Sequence, residues 1–171
     1  MRVFNELQRF DQWWSRLGAA ALLLALSYGC YHWYVLGNAV GNIGPGDHIP
    51  QLIAIFAIVL SVLFVKMITL RSQIDERGIR YQFFPFHRSY RNVPWAAISS
   101  VTVRTYGPLK EYGGWGYRLS PKNGKAYNIR GTKGIQLHLT DGEKILIGTQ
   151  KEKDAQAILD RYFKSSNALN L

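Results

Sequence analysis

The chain has 171 residues and carries 21 Lys and Arg against 11 Asp and Glu, which gives a formal net charge of +10. Its single cysteine, Cys30, excludes a disulfide within the chain and any zinc site built from several thiolates. From Arg77 to Lys133 there are 11 basic residues and one acid, Glu111, so this block alone accounts for the net charge. A basic block of this kind favours a polyanionic partner, such as acidic lipid headgroups, nucleic acid or an acidic protein.

Residues 1–16 have the pattern of an amphipathic helix. Their apolar side chains recur at helical spacing, continuing into the next segment, at Phe4, Leu7, Phe10, Trp14 and Leu17. The arginines fall on other faces of the same helix. The pattern predicts an interfacial helix that runs into the membrane, and a simple helical extension of the next segment is the alternative.

Two apolar segments follow, at 17–36 and 49–70. The first has no Asp, Glu, Lys or Arg over 20 residues, and the second is charged only at Lys66. A helix of this length covers about 30 Å, the thickness of the hydrocarbon core of a bilayer. A signal peptide competes for the first segment, but that segment is long, ends in aromatic residues and is soon followed by a second one. The sequence therefore predicts a transmembrane hairpin.

Charge on either side of the hairpin predicts its orientation. Arginines precede the first segment and follow the second, whereas the connector 37–48 has no Lys or Arg. The positive-inside rule places both ends of the chain in the cytoplasm and the connector outside. Lys66 lies one turn from the inner end of its span. Its side chain is expected either to extend to the headgroups or to pair with a carboxylate of another subunit.

From residue 71 the apolar period changes from that of a helix to that of a strand. The alternating segments are GIRYQFF, VTVRTY, WGYRLS, AYNIR, IQLHL and KILIG. Asn123-Gly124 and Asp141-Gly142 are strong hairpin signals between neighbouring segments. NVPWAAI, which lies between two of the strands, is predicted to be a short turn. The pattern predicts an antiparallel sheet curled around one core over residues 71–164.

A helix is predicted to end this domain. Thr149 and Glu152 have the spacing of a capping box. The apolar stripe that follows consists of Ala155, Ile158, Leu159, Tyr162 and Phe163. Such a stripe must be buried, and the open mouth of a curled sheet offers the surface. The predicted fold class is α+β: a two-helix transmembrane hairpin, then a pleckstrin-homology-like (PH-like) antiparallel β-barrel or curled sheet capped by a helix, with a tail at 165–171.

Three stretches carry a resemblance to a known family. They are VPWAAISSVTV, YGGWGYR and AYNIRGTKGIQLHLTDGEKILIGT, and the Gly-Gly-Trp-Gly cluster at 113–116 is the most specific part. Together they resemble the bacterial PH-like domains found in small membrane proteins, over residues 72–164. The resemblance implies a non-enzymatic module anchored in the bacterial inner membrane.

The glycine cluster has a structural and a functional interpretation. In the first, the glycines let the sheet bend and a neighbour approach closely, and Trp115 is mostly buried in the space inside. In the second, an exposed aromatic and basic patch contacts lipid or a partner. The residues concerned are Gly113, Gly114, Trp115 and Gly116 in the first case, and Tyr112, Trp115, Tyr117 and Arg118 in the second. The structural interpretation is favoured, and a single copy of the cluster does not favour nucleic-acid binding.

The basic block supplies the candidate binding residues. Charged residues on strands usually form a solvated face. Here, however, the domain starts directly after the second span, within a Debye length, about 8 Å, of anionic headgroups over part of its surface. The candidates for contact with the membrane or a partner are Arg77, Arg80, Arg88, Arg91, Arg118, Lys122, Lys125, Arg130 and Lys133.

No catalytic, cofactor or metal pattern accompanies these residues. There is no Ser-His-Asp, Cys-His or phosphate-loop arrangement, and His87 and His138 are expected on outward strand positions without a partner. We therefore expect no enzyme activity, no cofactor and no metal.

Two functions remain open. The first is a binding or scaffold module at the inner membrane face, which contacts anionic lipids, a membrane protein or a second copy of the chain. The second is an accessory subunit of a larger membrane complex. A stripe of small residues in the first span, Ala21, Ala25 and Gly29, would serve the second function if it packs against another protein.

Overall fold

The computed structural model describes the backbone of residues 3–168 and the side chains of residues 3–163. The chain forms two compact units. The β domain comprises Met1–Arg9 and Ile68–Leu171, and the helical unit comprises Phe10–Met67. The helical unit is thus an insertion within the β domain, which the sequence did not predict.

The β domain contains nine strands among the described residues: β1 (Phe4–Arg9), β2 (Thr69–Asp75), β3 (Gly78–Phe84), β4 (Arg91–Pro94), β5 (Ile98–Thr105), β6 (Gly116–Ser120), β7 (Gly124–Asn128), β8 (Lys133–Leu139) and β9 (Lys144–Gly148). The helices are, in chain order, α1 (Trp13–Tyr34), α2 (His48–Met67), α3 (Pro108–Tyr112) and α4 (Glu152–Ala168). A single 3-10 turn, Trp95–Ala97, confirms the short turn predicted in NVPWAAI. α4 continues past residue 164, and residues 169–171 of the predicted tail lie outside the described residues.

β1 takes the place of the predicted interfacial helix. It pairs in antiparallel fashion with β2, and Arg9 lies opposite Thr69. Burial alternates along the strand, with Phe4, Glu6 and Gln8 buried and the residues between them exposed. The prediction of a helix was wrong here because two of the three inward positions are polar. The period of two was therefore hidden, and the remaining apolar residues fitted a helical period.

Hydrogen bonds explain why polar side chains of β1 are buried. The Glu6 carboxylate accepts from the Thr149 hydroxyl at 2.6 Å through Oε2, and from the Gln150 N–H at 2.8 Å through Oε1. Gln8 Nε2 donates to the Gly148 carbonyl at 2.7 Å. These bonds join β1 to the end of β9 and to the residues that lead into α4. A buried polar group that is hydrogen-bonded in this way avoids most of the cost of leaving water.

The strands form two sheets and no closed barrel among the described residues. The four-stranded sheet has the order β1-β2-β3-β4, and the five-stranded sheet has the order β5-β8-β9-β7-β6. The α+β class is therefore correct, but the expected all-antiparallel sheet is not, because β7 and β9 are parallel. β8 pairs with one edge of β9 in antiparallel fashion, and β7 pairs with the other edge in parallel fashion. β7 also pairs with β6, so the β7–β9 contact joins the two hairpins into one sheet.

Both predicted hairpin turns are confirmed. Gly124 has φ +79° and Gly142 has φ +89°, a backbone region that side chains rarely allow. At Gly124 a Cβ atom would also lie 2.2 Å from the Lys144 carbonyl oxygen, so the neighbouring strand excludes any side chain there.

The C-terminal helix covers strands of both sheets. α4 contacts β1 and β2 in one sheet and β5 and β8 in the other. Ala155, Ile158 and Leu159 of the predicted stripe are buried, and Phe163 lies 6.0 Å from the ring of Trp95. The amphipathic period of the sequence was thus sufficient to predict this helix and its buried face.

The helical unit differs from the prediction in two respects. Among the described residues only α2 is long and apolar enough to cross a membrane, by its length and composition, so the two-helix transmembrane hairpin is not confirmed. α1 has 22 residues, but its last turns, YGCYHWY, are aromatic and polar. α2 ends at Met67 and not at residue 70, because Leu70 already belongs to β2.

The opposed positions of Arg9 and Thr69 lead to a first prediction. A two-residue turn can join directly paired strand residues. Replacing residues 10–68 by Asn-Gly should therefore give a soluble chain, the joined β domain, that unfolds in one cooperative transition. Urea denaturation followed by tryptophan fluorescence measures this.

The matched control begins at Thr69 and lacks β1. Leaving the partners of one buried hydrogen-bonding group unsatisfied costs about 1–3 kcal/mol. The control also loses a paired strand, so its free energy of unfolding should fall by more than this amount. A control as stable as the joined β domain would show that β1 does not hold the fold together.

Candidate functional site

The nine basic candidates do not form one positively charged surface. Three of them are in ion pairs, with N···O distances of 2.6 Å for Arg80–Asp75, 2.6 Å for Lys125–Glu143 and 2.9 Å for Lys133–Glu152. All of the other six have exposed side chains: Arg77, Arg88, Arg91, Arg118, Lys122 and Arg130. Because a neighbouring carboxylate offsets the charge of a paired cation, Arg77, Arg88, Arg91, Arg118 and Lys122 are better candidates to attract an anion than the three paired cations.

The strands separate these exposed cations further. Arg77 precedes β3 and Arg88 follows it, so the two lie at opposite ends of a seven-residue strand that is about 23 Å long. Arg118 lies on β6 next to Tyr117, and successive side chains of a strand point to opposite faces. The structure therefore does not bring Arg77 and Arg118 together with Arg88 and Arg91. It leaves the last two close to each other in the chain, Arg88 in the connection between β3 and β4 and Arg91 at the start of β4.

That connection, together with the first residue of β4, forms a segment, residues 85–91, that places aromatic and basic side chains together at the surface. Phe86 is 56% exposed and Tyr90 is 38% exposed, although both are large apolar or aromatic side chains. Arg88 and Arg91 are exposed in the same segment. We call residues 85–91 the basic aromatic loop. Exposed aromatic rings beside arginines are typical of surfaces that bind partners, because each ring is amphipathic or apolar and each guanidinium can bind an anion.

A buried glutamine fixes the backbone of this loop. Gln82 Nε2 donates to the carbonyls of Arg88 at 2.9 Å and His87 at 3.3 Å. The His87 N–H in turn donates to the Phe83 carbonyl at 2.8 Å. A fixed backbone lowers the entropy that a partner must remove on binding. The sequence missed this role because Gln82 alternates with apolar residues and was expected on the solvated face of β3.

Behind the loop lies an aromatic cluster of Tyr81, His87, Tyr117 and Tyr127. Tyr117 and Tyr127 are directly opposed on β6 and β7, and their rings stack at 5.0 Å with an interplanar angle of 3°. The Tyr127 ring also lies 4.9 Å from Tyr81 and 5.1 Å from His87. Phe86 of the loop lies 6.1 Å from Tyr117, so the loop packs on the cluster, in which Tyr81 and Tyr127 are buried.

Burial and charge set the protonation of this cluster. Burial raises the pKa of Tyr127, as do the nearby Tyr81 and Tyr117, and burial also raises the pKa of Tyr81. For His87, burial and then the positive charges of Arg91 and Lys125 lower the pKa. The phenols of Tyr127 and Tyr81 therefore stay protonated and the His87 imidazole stays neutral at neutral pH, so these three groups add no charge beside the arginines.

His87 does not lie on an outward strand position as expected. Its ring is half-buried in the cluster, and its Nδ1 is buried without a hydrogen-bond partner among the described residues. The sequence could not show this, because the contact comes from β6 and β7, which are distant in the chain.

The three glycines of YGGWGYR are explained by their backbone angles. Gly113 has φ +72° and caps α3 by donating its N–H to the Leu109 carbonyl at 3.0 Å. Gly114 and Gly116 follow with φ +131° and +110°, in the turn that leads from α3 into β6. A Cβ atom at Gly113 or Gly116 would meet nothing within 4 Å. Glycine is therefore required at these two positions for the positive φ angle of the backbone, and not for the close approach of a neighbour.

The aromatic residues of the same stretch divide between core and surface. Tyr112 is only 5% exposed and packs against Tyr106, with ring centroids 6.0 Å apart. Trp115 is half-buried, and its Nε1 donates to the Gly131 carbonyl at 3.2 Å. Arg118 Nε donates to the Trp115 carbonyl at 3.0 Å. The stretch therefore contributes Tyr117 to the aromatic cluster, while its other members cap and pack a turn.

Known proteins add no further constraint. No family model matches the chain, and no curated protein matches it either. The resemblance to bacterial PH-like domains accordingly stays a prediction. What the structure defines is a class: an α+β chain with two sheets, an inserted helical unit and a surface of aromatic and basic side chains.

The lowered pKa of His87 gives a second prediction. In the unfolded chain His87 binds a proton near the ordinary pKa of 6.5, whereas in the folded chain it binds one only at lower pH. The unsubstituted joined β domain, called the parent, should therefore lose stability as the pH falls below 6.5. The His87→Gln variant of the joined β domain should lose less stability than its parent between about pH 7.5 and about pH 5. Urea denaturation at both pH values measures the difference.

His138→Gln serves as the control. His138 lies on β8, away from the cluster, and its replacement should preserve the pH dependence of the parent. An equal pH dependence in the parent and in His87→Gln would contradict the environment assigned to His87.

Proposed function

We propose that this chain is a non-enzymatic binding module anchored in the bacterial inner membrane, with both termini in the cytoplasm. The observation that carries the proposal is the pairing of Arg9 with Thr69 on either side of the inserted helical unit. The basic aromatic loop is the proposed contact with anionic lipid headgroups or with an acidic partner.

The anchoring argument starts from α2. Only 6% of its most apolar window is buried, whereas the core helix of a soluble protein would be mostly buried. A helix that is apolar on all sides and uncovered is typical of a membrane span.

The strand pairing then constrains α1. β1 and β2 belong to one sheet, so they must lie on the same side of any membrane. If α2 crosses the bilayer, the chain between β1 and α2 must cross it in the opposite direction. α1 is the one helix described in that segment, and its 22 residues span about 33 Å. This argument supports a hairpin even though the aromatic and polar end of α1 makes it less apolar than α2.

The binding argument rests on the composition of the basic aromatic loop. Tyrosine and other aromatic rings favour the membrane–water interface, and each basic residue near an anionic surface contributes about 1 kcal/mol. Arg88 and Arg91 therefore supply only weak attraction on their own. The loop would orient a β domain that the helical unit already holds at the membrane.

A second candidate function is an accessory subunit of a larger membrane complex. Within the small-residue stripe of α1, Gly29 is covered by the ring of Trp33 from the same helix. Ala21 and Ala25 remain exposed and could receive a helix of another protein. This exposed pair favours an accessory subunit, because a partner helix would cover a surface that otherwise faces lipid.

Labelling of single cysteines tests the anchoring. In a Cys30→Ser background, Asn42→Cys in the α1–α2 connector should react with an impermeant thiol reagent in intact cells. Asp141→Cys, in the exposed β8–β9 turn, should react only after lysis. Equal labelling of both positions, or the reverse pattern, would refute the proposed topology.

Vesicle binding tests the loop. The joined β domain should bind phosphatidylglycerol vesicles weakly, and added salt should release it because screening weakens exposed charges. Arg88→Gln with Arg91→Gln should reduce binding by up to about thirtyfold, at no more than about 1 kcal/mol per cation. The matched control, Arg77→Gln with Lys153→Gln, removes the same charge from other exposed positions and should bind almost as the parent does. Equal losses in both double variants would show that net charge matters and the loop does not.

A further inference from the structure

The helical unit contains an apolar groove that its own side chains do not fill. The groove has a volume of about 350 Å³ and lies between the first half of α1 and the last turns of α2. Phe10, Trp14, Gly18 and Leu22 line it at intervals of four residues, and Val65 and Lys66 line the opposite wall. From Trp14 to Leu22 it therefore follows one face of α1 for about two helical turns, and Phe10 extends it just before the helix begins.

The groove exists because the two helices are held together only at the connector end. Trp33 and Gln51 are buried there, and the Tyr34 hydroxyl donates to Gln51 Oε1 at 2.9 Å. Gln51 Nε2 also donates to the Gly44 carbonyl at 2.6 Å, which fixes the connector against α2. From 52 to 67 and from 13 to 28 no residue is buried, so the helices stand apart at their other end. Glycine at position 18 is too small to fill the space.

One charge stands at this groove. Its two lining hydroxyls, Ser15 and Ser61, each donate to a backbone carbonyl of the preceding turn, at 2.7 Å in both cases. Lys66 is the charged residue among those that line the groove, and it forms no ion pair with the described residues. The acids of this unit are engaged elsewhere: Asp11 pairs with Arg16, and Asp47 accepts from the N–H of Gly44.

The groove is apolar, and at one wall it has an ammonium group without an ion-pair partner among the described residues. It is therefore complementary to a ligand that has a hydrocarbon part and an anionic part. We propose that the groove binds one anionic phospholipid, with an acyl chain along Trp14, Gly18 and Leu22 and the phosphate beside Lys66. The inference rests on the membrane insertion proposed above. Lys66 lies in the last turn of α2, near the depth at which headgroup phosphates begin, so both parts of the lipid can be met at once.

Native mass spectrometry of the full chain in mild detergent tests the site. Titration with phosphatidylglycerol should give one tightly held lipid, and titration with phosphatidylcholine should give much less. Lys66→Gln should lower the affinity for phosphatidylglycerol about tenfold and should leave phosphatidylcholine unaffected, because only the charge-assisted contact is lost.

A larger side chain inside the groove tests the space for the acyl chain separately from the charge of Lys66. A Cβ atom at Gly18 would meet nothing within 4 Å, so Gly18→Leu should fold normally and occupy the groove itself. It should lose the bound lipid. Ala20→Leu is the matched control, because Ala20 is exposed and does not line the groove, and it should bind as the parent does. Circular dichroism confirms that both variants keep the helix content of the parent.

Other outcomes overturn the proposal. Equal binding of the two lipids by the parent, or lipid binding that survives Gly18→Leu, would show that the groove is not an anionic-lipid site. The parent chain could instead form a dimer that carries no lipid. If Gly18→Leu dissociates that dimer, the groove is assigned to a second copy of the chain. Carbonate extraction of membranes tests the proposed anchoring independently of lipid binding in the groove. A chain that stays in the membrane pellet without binding lipid contradicts the groove alone, and a chain that is released contradicts the anchoring and the groove together.

Discussion

The rest of the β domain depends on the contact between Glu6 and the junction of β9 with α4. One carboxylate accepts from the Thr149 hydroxyl at 2.6 Å and from the Gln150 N–H at 2.8 Å, and the Thr149 oxygen accepts from the Lys151 N–H at 3.0 Å. The four-stranded sheet is thereby joined to the five-stranded sheet at the point where the last helix begins. The chain thus relies on a buried, hydrogen-bonded carboxylate at a place where an apolar side chain would give no directionality.

This contact also determines the connectivity of the molecule. Because β1 must be in place for Glu6 to reach Thr149, the residues before the helical unit and those after it belong to one folded domain. The inserted unit must therefore leave and re-enter the domain at neighbouring positions, Arg9 and Thr69. An even number of membrane crossings follows for any chain of this connectivity, which is a stronger constraint than the hydropathy of either helix.

The sequence predicted those elements whose pattern is local. Alternation located β3, β5, β6, β8 and β9, the Asn-Gly and Asp-Gly pairs located two hairpins, and an apolar stripe located α4. β1 was missed because its inward positions are stabilised by partners about 140 residues away, at Gly148 and Thr149, which no local pattern reveals. The parallel pairing of β7 with β9 was missed for the same reason. Charge counts predicted a basic surface, but Asp75, Glu143 and Glu152 offset three of its members, and strand geometry disperses the others.

What remains is a small surface at one loop, and its weakness is consistent with an anchored protein. Two arginines and two exposed aromatic rings would hold a freely diffusing domain at a membrane only briefly. A tether converts the same contact into an intramolecular one, at effective concentrations in the millimolar range for short connections. A fixed loop then has a further advantage, since the Gln82 bonds to the Arg88 and His87 carbonyls lower the ordering cost before any partner arrives. In the proposed function the anchor would supply the proximity, and the loop would need only to supply orientation and a preference for anions.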